Sequence, residues 1–387
     1  MSAVSQTTPP GLRARVAGFG SQHRSLSVII GMSLVAALLP LVVLLPPFSN
    51  FSGQSVWMDT FTNAGVFVLL ALGLNIVVGL AGLLDLGYAA FFAIGAYAFA
   101  VLASPIYDNH VPFWVMIFGG AVIAAVFGIL LGAPTLRLRG DYLAIVTLGF
   151  GEIVPIVITN SSTYTNGPTG IGGIDSPRIG EYVFPIVGNA WPYYLVMVAL
   201  ITITMILVYR LQDSRLGRSW MAIREDELAA SASGINTVTT KLLAFALGAS
   251  TAGVAGVFFA TKLTLVSPAL FGFTVSFTIL AMVVLGGMGN VWGVALGAFL
   301  LFEIQRVLLN QLNIFFDSTD SLPLIGDLLA KIDFIQYQYL LYGIALVAMM
   351  LLRPEGLFPS RRRRRELHTE EDSAFGEHGD AMGAAPE

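Results

Sequence analysis

The residue best placed to do chemistry in this chain is Glu152, a carboxylate inside a long apolar segment. On a helix that begins near Asp141, Glu152 would lie roughly 16 Å along the axis, about halfway through a ~30 Å hydrocarbon layer. An ionised carboxylate at that depth must be paired, hydrated or protonated. Pro155 lacks an amide and should open the helical hydrogen bonding beside it. Two roles fit the sequence equally: lining a substrate path, or bonding a neighbouring helix.

Other polar side chains in apolar segments have the same two interpretations. Asn75, Tyr88 and Tyr97 are candidate liners of a substrate path, and hydrogen bonding between helices is the ordinary alternative. Asp85 lies at a predicted turn between two helices, close to a membrane interface. We interpret it as a cap for the second of these helices rather than as a ligand.

The remaining residues do not form an enzyme's catalytic group. Glu303 and Arg306 are three positions apart, so on one helix face they should neutralise each other as a structural pair. Cysteine is absent and there are only 4 His, so no metal site is expected. Because no Gly-Lys-Ser/Thr phosphate loop occurs, any ATP used with this chain must be hydrolysed by another one. We expect no catalysis, no bound cofactor and no nucleic-acid partner.

The composition identifies the surroundings that these residues need. Hydrophobic residues make up 56% of the chain and charged residues 11%, against about 25% charged in an ordinary soluble domain. The mean hydropathy is +0.77. A soluble fold would lack the polar residues to cover its exterior, so the chain is predicted to be a membrane protein. The apolar runs are continuous rather than alternating, which predicts helices and not a barrel.

The predicted fold is an all-α polytopic membrane protein with about ten transmembrane helices. The first apolar segment is too long for a signal peptide and has no cleavage site, so it counts as a span. The transmembrane domain is predicted at residues 26–353, after a cytoplasmic segment at 1–25. The spans are placed at 27–46, 60–80, 86–104, 112–133, 141–160, 191–209, 241–262, 273–289, 291–310 and 335–352.

Basic residues orient these spans. With both termini in the cytoplasm, 16 of the 20 Lys and Arg residues fall inside, which agrees with the positive-inside rule. This asymmetry supports ten spans with both termini inside. The tail at 354–387 begins with basic residues that should attract membrane lipid, and it continues as an acidic segment predicted to be disordered. The 16 residues are Arg13, Arg15, Arg24, Arg137, Arg139, Arg210, Arg215, Arg218, Arg224, Lys241, Arg353 and Arg361 to Arg365.

Small residues recur every four positions in three of the spans. Such stripes let helix backbones approach closely in lipid, where no hydrophobic force drives helices together. Packing within one subunit is the expected use, and a subunit interface is the alternative. The stripes are Gly120, Ala124, Gly128 and Gly132; Ala252, Gly256 and Ala260; and Gly289, Gly293 and Gly297.

The longest predicted cytoplasmic loop, 210–240, carries the signals of one short helix. Ser219 can cap its start and Gly234 can end it. In importers driven by ATP hydrolysis, such a helix, often with the pattern Glu-Ala-Ala-x-x-x-Gly, lies in a groove of the ATPase. The alternative is an ordinary solvated surface helix. The candidate ATPase-coupling residues are Arg224, Glu225, Asp226 and Glu227, as a surface charge cluster, with Ala229, Ala230 and Gly234.

Six stretches carry recognisable motifs: Gly79–Tyr97, Leu136–Ile153, Ala222–Ala230, Lys241–Phe245, Val284–Gly289 and Leu352–Phe358. Together they resemble LivM-type permease subunits of branched-chain amino-acid ABC importers, over about residues 60–360. The resemblance implies a location in the bacterial cytoplasmic (inner) membrane. Two departures are present: Asn166-Gly-Pro-Thr-Gly-Ile171 replaces a more usual Gly-Gly-Pro-Asn-Gly-Ile, and Pro155 stands where many members carry Arg. The second departure puts in doubt any role for a basic residue beside Glu152.

The resemblance implies a set of partners and a cargo. The partners would be a sister permease of LivH type, two cytoplasmic ATPase subunits that use ATP, and an extracytoplasmic substrate-binding protein. The cargo would be leucine, isoleucine and valine, although some relatives carry urea, amides or other amino acids. An ion-coupled secondary transporter, which would need a coupling-ion site and broken helices, is a further alternative. A membrane enzyme is another, but no catalytic group supports it.

Overall fold

The computed structural model describes residues 24–43, 54–107, 109–135, 138, 140–185, 190–308, 338–353 and 356–358. The described part of the chain is mostly helical. The predicted N-terminal segment and the acidic tail lie almost entirely outside these residues, as does the predicted external loop before the last span.

Thirteen α-helices account for most of the described residues. Two π-helices, Asn75–Leu80 and Ile304–Leu308, directly continue the α-helices Gln54–Leu74 and Val291–Glu303. The α-helices are α1 Arg24–Val43, α2 Gln54–Leu74, α3 Tyr88–Leu102, α4 Phe113–Thr135, α5 Asp141–Asn160, α6 Ser162–Thr165, α7 Trp191–Gln212, α8 Arg215–Glu225, α9 Glu227–Ala232, α10 Thr237–Leu263, α11 Phe273–Gly286, α12 Val291–Glu303 and α13 Gln338–Leu352.

Four two-residue strands lie in the connections between helices. They are β1 Ile171–Gly172, β2 Arg178–Ile179, β3 Tyr182–Val183 and β4 Leu265–Val266. β1 pairs antiparallel with β4, so that Ile171 faces Val266. β2 and β3 form a hairpin of their own, in which Arg178 faces Val183. The β1–β4 pair ties the connection after α5 to the connection after α10.

Six helical segments are long and apolar enough to cross a membrane. Shorter apolar helices occur at Val28–Leu39 and Tyr88–Leu102. The count of ten spans therefore remains a prediction, although a helix lies at each predicted position in the described part of the chain. The six segments are Val56–Leu80, Phe113–Thr135, Asp141–Asn160, Trp191–Gln212, Thr237–Leu263 and Pro268–Gly286.

The third predicted span differs from the expected full-length helix. α3 has 15 residues, or roughly 22 Å at 1.5 Å per residue, which is shorter than a ~30 Å hydrocarbon layer. Its first residue, Tyr88, donates a hydrogen bond to Gly248 O in the middle of α10, 2.9 Å away. The preceding segment, 81–87, is not helical and runs back along the bundle to reach this level. α3 is therefore a helix that begins at mid-depth.

Asp85 lies inside the protein and not at its edge. Its side chain is 1% exposed, and its Oδ1 accepts a hydrogen bond from Gly87 N–H, just before α3 begins. The amide of the next residue, Leu86, bonds to Thr147 Oγ1 on α5, about 9 Å along that helix from its start. The prediction that Asp85 caps α3 is wrong, because Gly87 occupies the cap position and Asp85 accepts from the amide of that residue rather than from an amide inside the helix. Its position near a membrane interface stays a prediction.

The centre of the bundle is a crossing of α3, α4 and α10 in which backbones touch. A Cβ on Gly95 would collide with the Gly253 backbone, and a Cβ on Gly253 would collide with Gly120 O and lie 2.6 Å from Ala124 Cβ. A Cβ on Gly256 would meet Phe92 O. The stripes on α4 and α10 therefore serve packing within one subunit, the use we expected of them.

Contacts between the connecting segments fall into two groups at opposite ends of the helices. In the first group, Asp175 N–H bonds to Ala103 O at 2.9 Å, and Thr261 Oγ1 donates to Asp175 O at 2.7 Å. We call this end, which includes β1 and β4, the strand end. The opposite group surrounds Gly289, and we call it the Gly289 end. Segments predicted to be external meet at the strand end, and those predicted to be cytoplasmic meet at the Gly289 end.

Candidate functional site

The loop between α7 and α10 forms two helices instead of the single predicted one. α8 is capped by Ser214, whose Oγ accepts from Gly217 N–H, while Ser219 lies within the helix and bonds to Arg215 O. The chain breaks at Asp226, which has an extended backbone and caps α9 through Leu228 N–H and Ala229 N–H. The prediction of Ser219 as the cap was wrong, because the helix already begins at Arg215 with Ser214 as its cap. The prediction of a single helix was wrong because Asp226 ends α8 and caps α9.

Gly234 ends α9 as predicted. Its φ is +86°, a left-handed conformation in which a glycine is favoured. The amide of Ile235 bonds back to Ala230 O, and that of Gly234 to Ser231 O, so the last carbonyls of the helix are satisfied.

The four charged residues predicted as one surface cluster point in different directions. Arg224 turns inward, and its Nη1 donates to Gly79 O at 2.7 Å. Glu227 pairs with the buried Lys241 of α10 at 2.6 Å. Asp226 is the cap described above, and Glu225 is exposed. The prediction of a single cluster is therefore wrong, because two of these side chains hold α8 and α9 against the bundle.

α8 and α9 are fixed firmly to the base of α10. Trp220 is fully buried and its Nε1 donates to Thr240 O at 2.7 Å. The Glu227–Lys241 pair adds a second connection, and Ala230 is buried beside it. A force on either short helix is thus passed directly to the membrane helices.

The outward face of α9 is small and apolar. Leu228 is 66% exposed, and the residues after it have short side chains. A surface of this kind lets another backbone approach closely. The exposed residues, which we call the α9 face, are Leu228, Ala229, Ser231, Ala232, Ser233 and Gly234.

Asn75 ties two helix ends together at the Gly289 end. It is fully buried, and its Oδ1 accepts from Gly289 N–H at 2.8 Å, while Gln212 Nε2 donates to Gly289 O. Gly289 has a φ of +81°, and a Cβ there would lie 3.4 Å from Gly79 O. The turn between α11 and α12 therefore lies directly on the π-helical end of α2.

The segment after α13 packs on the same turn, a contact that the sequence analysis did not predict. Asn290 Nδ2 donates to Phe358 O at 2.8 Å, and Leu357 N–H bonds to Leu285 O. Gly356 has a φ of +85°, and a Cβ on it would be 2.5 Å from Gly287 Cα. Four of the six stretches that carried the resemblance meet at the Gly289 end.

The two tyrosines named as candidate path liners make contacts between helices. Tyr88 donates to Gly248 O and is 3.1 Å from Thr251 Oγ1, and Gly73 leaves the space that this hydroxyl occupies. Tyr97 is buried and its hydroxyl lies 3.4 Å from Val266 O. These contacts, like that of Asn75, match the alternative of hydrogen bonding between helices.

Glu152, in contrast, is exposed on the surface of the described chain. α5 is continuous through Pro155 and is one of the least buried apolar helices. One face packs on the segment before α3, where Gly151 lies against Gly87, and the other presents Glu152 beside exposed apolar residues such as Ile145 and Ile156. A carboxylate at this depth must be paired, hydrated or protonated.

Glu303 and Arg306 do not form the expected pair. Among the described residues no ion pair joins them, and Glu303 Oε1 is buried without a hydrogen-bond partner. The backbone changes to a π-helix at Ile304, which alters the three-residue spacing on which the prediction depended.

Among the residues that the structure describes, no group of three His, Asp or Glu side chains could hold a metal ion.

The apolar helices and their glycine crossings are features of a multi-pass membrane protein. Residues 57–350 match the family described as the permease component of branched-chain amino acid transport systems, and this chain belongs to that family. It is 40% identical to the Escherichia coli high-affinity branched-chain amino acid transport system permease protein LivM, over 80% of this chain and 72% of the relative.

More distant relatives include both permease types. A probable LivM of Methanocaldococcus jannaschii is 24% identical over 77% of this chain and 91% of the relative. The Salmonella typhimurium permease protein LivH is 26% identical over 62% of this chain and 80% of the relative. No solved structure matches the chain.

Proposed function

We propose that this chain is the membrane-embedded permease subunit of an ATP-driven importer for branched-chain amino acids. It would have ten spans in residues 26–353 and cytoplasmic termini in a bacterial inner membrane. Its partners would be a LivH-like permease, two ATPase subunits and an extracytoplasmic binding protein. The family and the names of its relatives support this proposal. So does the α9 face, which offers an ATPase a small apolar surface at the predicted cytoplasmic end.

The test is uptake by vesicles that contain the permease with its predicted partners. We expect leucine uptake that requires ATP, both permeases and the binding protein. Unlabelled isoleucine and valine should compete, and urea and acetamide should not. If urea or an amide competed with leucine uptake and isoleucine and valine did not, the proposed cargo would be wrong.

The non-helical segment 81–87 and the short α3 favour a second candidate, a secondary transporter, because such proteins use broken helices at mid-membrane. Vesicles with this permease alone and an imposed Na⁺ or H⁺ gradient distinguish the two. Gradient-driven uptake without the ATPases would overturn the proposed function.

Glu152 is the residue that we place on the substrate path. Its exposure on a little-buried helix lets it face cargo or the sister permease, and its charge suits the ammonium group of an amino acid. Glu152→Gln keeps the shape and removes the charge. We expect uptake to fall about tenfold, the value of one charge-assisted contact, with complex yield and ATP hydrolysis retained.

Glu152→Leu separates the path role from a structural one. A structural carboxyl would make the Gln variant nearly silent, whereas the Leu variant would lower the yield of assembled complex by leaving polar partners unpaired. Both variants are measured by uptake in vesicles and by purified yield. Wild-type uptake by Glu152→Gln would remove this residue from the path.

A further inference from the structure

Arg224 occupies a position that docking of an ATPase does not explain. It belongs to α8, yet its guanidinium leaves the surface and donates to Gly79 O at 2.7 Å, within the π-helix that ends α2. Its stem crosses Gly82, where a Cβ would be 2.6 Å from Arg224 Cγ and 3.1 Å from Arg224 Cβ. The absence of a side chain at Gly82, which has a φ of +69°, makes this approach possible.

The same arginine also lies beside the turn between α11 and α12. A Cβ on Gly289 would be 3.8 Å from Arg224 Nη1, and Gly289 N–H is bonded to Asn75 Oδ1 at the start of the π-helix. Arg224 therefore contacts the end of α2 and faces the adjacent turn at once. π-helical turns are uncommon and occur often at functional sites, because the extra residue is easily lost or gained.

Contacts continue from this segment to the helix that carries Glu152. The chain runs from Gly79 and Gly82 to Leu86, whose amide bonds to Thr147 Oγ1 of α5 at 3.0 Å. Gly87 then lies so close to α5 that a Cβ on it would collide with Thr147 O. On the other side, Gly151 packs against Gly87 Cα, one residue before Glu152. A displacement of α8 thus has a short, packed route to the exposed face of α5.

We propose that Arg224 is the positioning residue that transmits movement of α8 and α9 to segment 79–87 and, through it, to α5. The inference rests on the proposed function, since the movement is the one that ATPase subunits would impose on the α9 face. Arg224 does not touch cargo or ATP. Its role is to make the membrane segment follow the short helices.

The first test separates transport from ATP hydrolysis in the complete complex of both permeases, both ATPase subunits and the binding protein. Arg224→Gln should leave assembly and ATP hydrolysis within about twofold of wild type, while leucine uptake falls at least about tenfold through loss of a charged hydrogen bond. Arg224→Lys, which can still donate to Gly79 O, should recover part of the uptake. Arg218→Gln is the matched control, because the bond that this exposed arginine makes among the described residues is to its own segment, at Asp213 O.

Equal losses of uptake and hydrolysis, or an unchanged Arg224→Gln variant, would overturn the proposal. The wild-type complex is measured in the same vesicles. Its ATP-driven uptake tests the proposed function separately from the role of Arg224.

The second test replaces the hydrogen bond by a covalent one. The chain has no cysteine, so a Gly82→Cys, Arg224→Cys pair is unique within it. The Cβ separation of 3.1 Å requires a shift of only a few tenths of an ångström to reach disulfide geometry. With the thiols reduced, the complex should hydrolyse ATP without import. Oxidation with copper phenanthroline should raise uptake at least about fivefold, since a tether replaces a contact of about 1 kcal/mol.

Uptake by the same sample is measured before and after oxidation, so a folding defect lowers both values and does not change their ratio. An oxidised complex that hydrolyses ATP but does not gain uptake would show that the two segments must move apart, and would overturn the proposal. Failure of the two thiols to cross-link would contradict the placement of Arg224 on Gly82, and the proposal with it.

Discussion

Replacing Ala229 with tryptophan should separate the ATPase subunits from the assembled permease. Ala229 is exposed in the middle of the α9 face, where only short side chains and Leu228 are presented. An indole there would hold any docked groove away from the helix. Overpacking of a close contact costs about 1–3 kcal/mol, so we expect a loss of about tenfold or more in the affinity of the ATPase for the permease. The measurement is co-purification of ATPase with tagged permease, together with leucine uptake.

The matched control is Arg215→Trp. Arg215 is also exposed, on the neighbouring helix α8, but outside the α9 face. This variant should retain ATPase binding and uptake. If Ala229→Trp bound ATPase as wild type does, α9 would be an ordinary solvated helix and docking would have to occur elsewhere.

Replacing Gly253 with alanine should destabilise the folded permease, although the change adds a single methyl group. The added Cβ would meet Gly120 O and Ala124 Cβ, and both lie on a helix backbone that cannot turn aside as a long side chain can. We expect a cost of about 1–3 kcal/mol, visible as a lower melting temperature of the purified chain and a lower membrane yield. Uptake should fall in proportion to the amount of folded protein.

Gly149→Ala on α5 serves as the control for helix propensity. A Cβ at Gly149 has no atom within 4 Å, so the same substitution adds no collision. Alanine within a helix is worth about 0.5–1 kcal/mol over glycine, which predicts an unchanged or slightly higher melting temperature. Equal losses in both variants would show that the sensitivity of Gly253 does not come from the crossing of α3, α4 and α10.

Sequence reasoning located the helices because long apolar runs are local properties. The predicted spans coincide with α4, α5, α7 and α10 to within a few residues. The end of α9 at Gly234 was predictable for the same reason, since the left-handed cap depends on one residue. The stripe on α4 was interpreted correctly as packing, because small residues four apart leave few other uses.

Long-range contacts were not predictable in the same way. A surface interpretation of Arg224 was reasonable from its charged neighbours, yet the direction of its side chain depends on Gly79 and Gly82, more than a hundred positions earlier. The break at Asp226 was not predictable because the local sequence is compatible both with one continuous helix and with a second helix capped by Asp226. The start of α3 at mid-depth follows from the position of α10, to which its first residue, Tyr88, is bonded.

The crossing at Gly95, Gly120 and Gly253 has a mechanical consequence. Helices that slide past one another do so by exchanging side-chain rotamers at their interface, and here no side chain separates the backbones. We therefore expect α3, α4 and α10 to tilt together as one rigid unit. The more deformable region then lies beside this unit, where α5 presents its uncovered face. A passage would accordingly open beside this subunit and not through it.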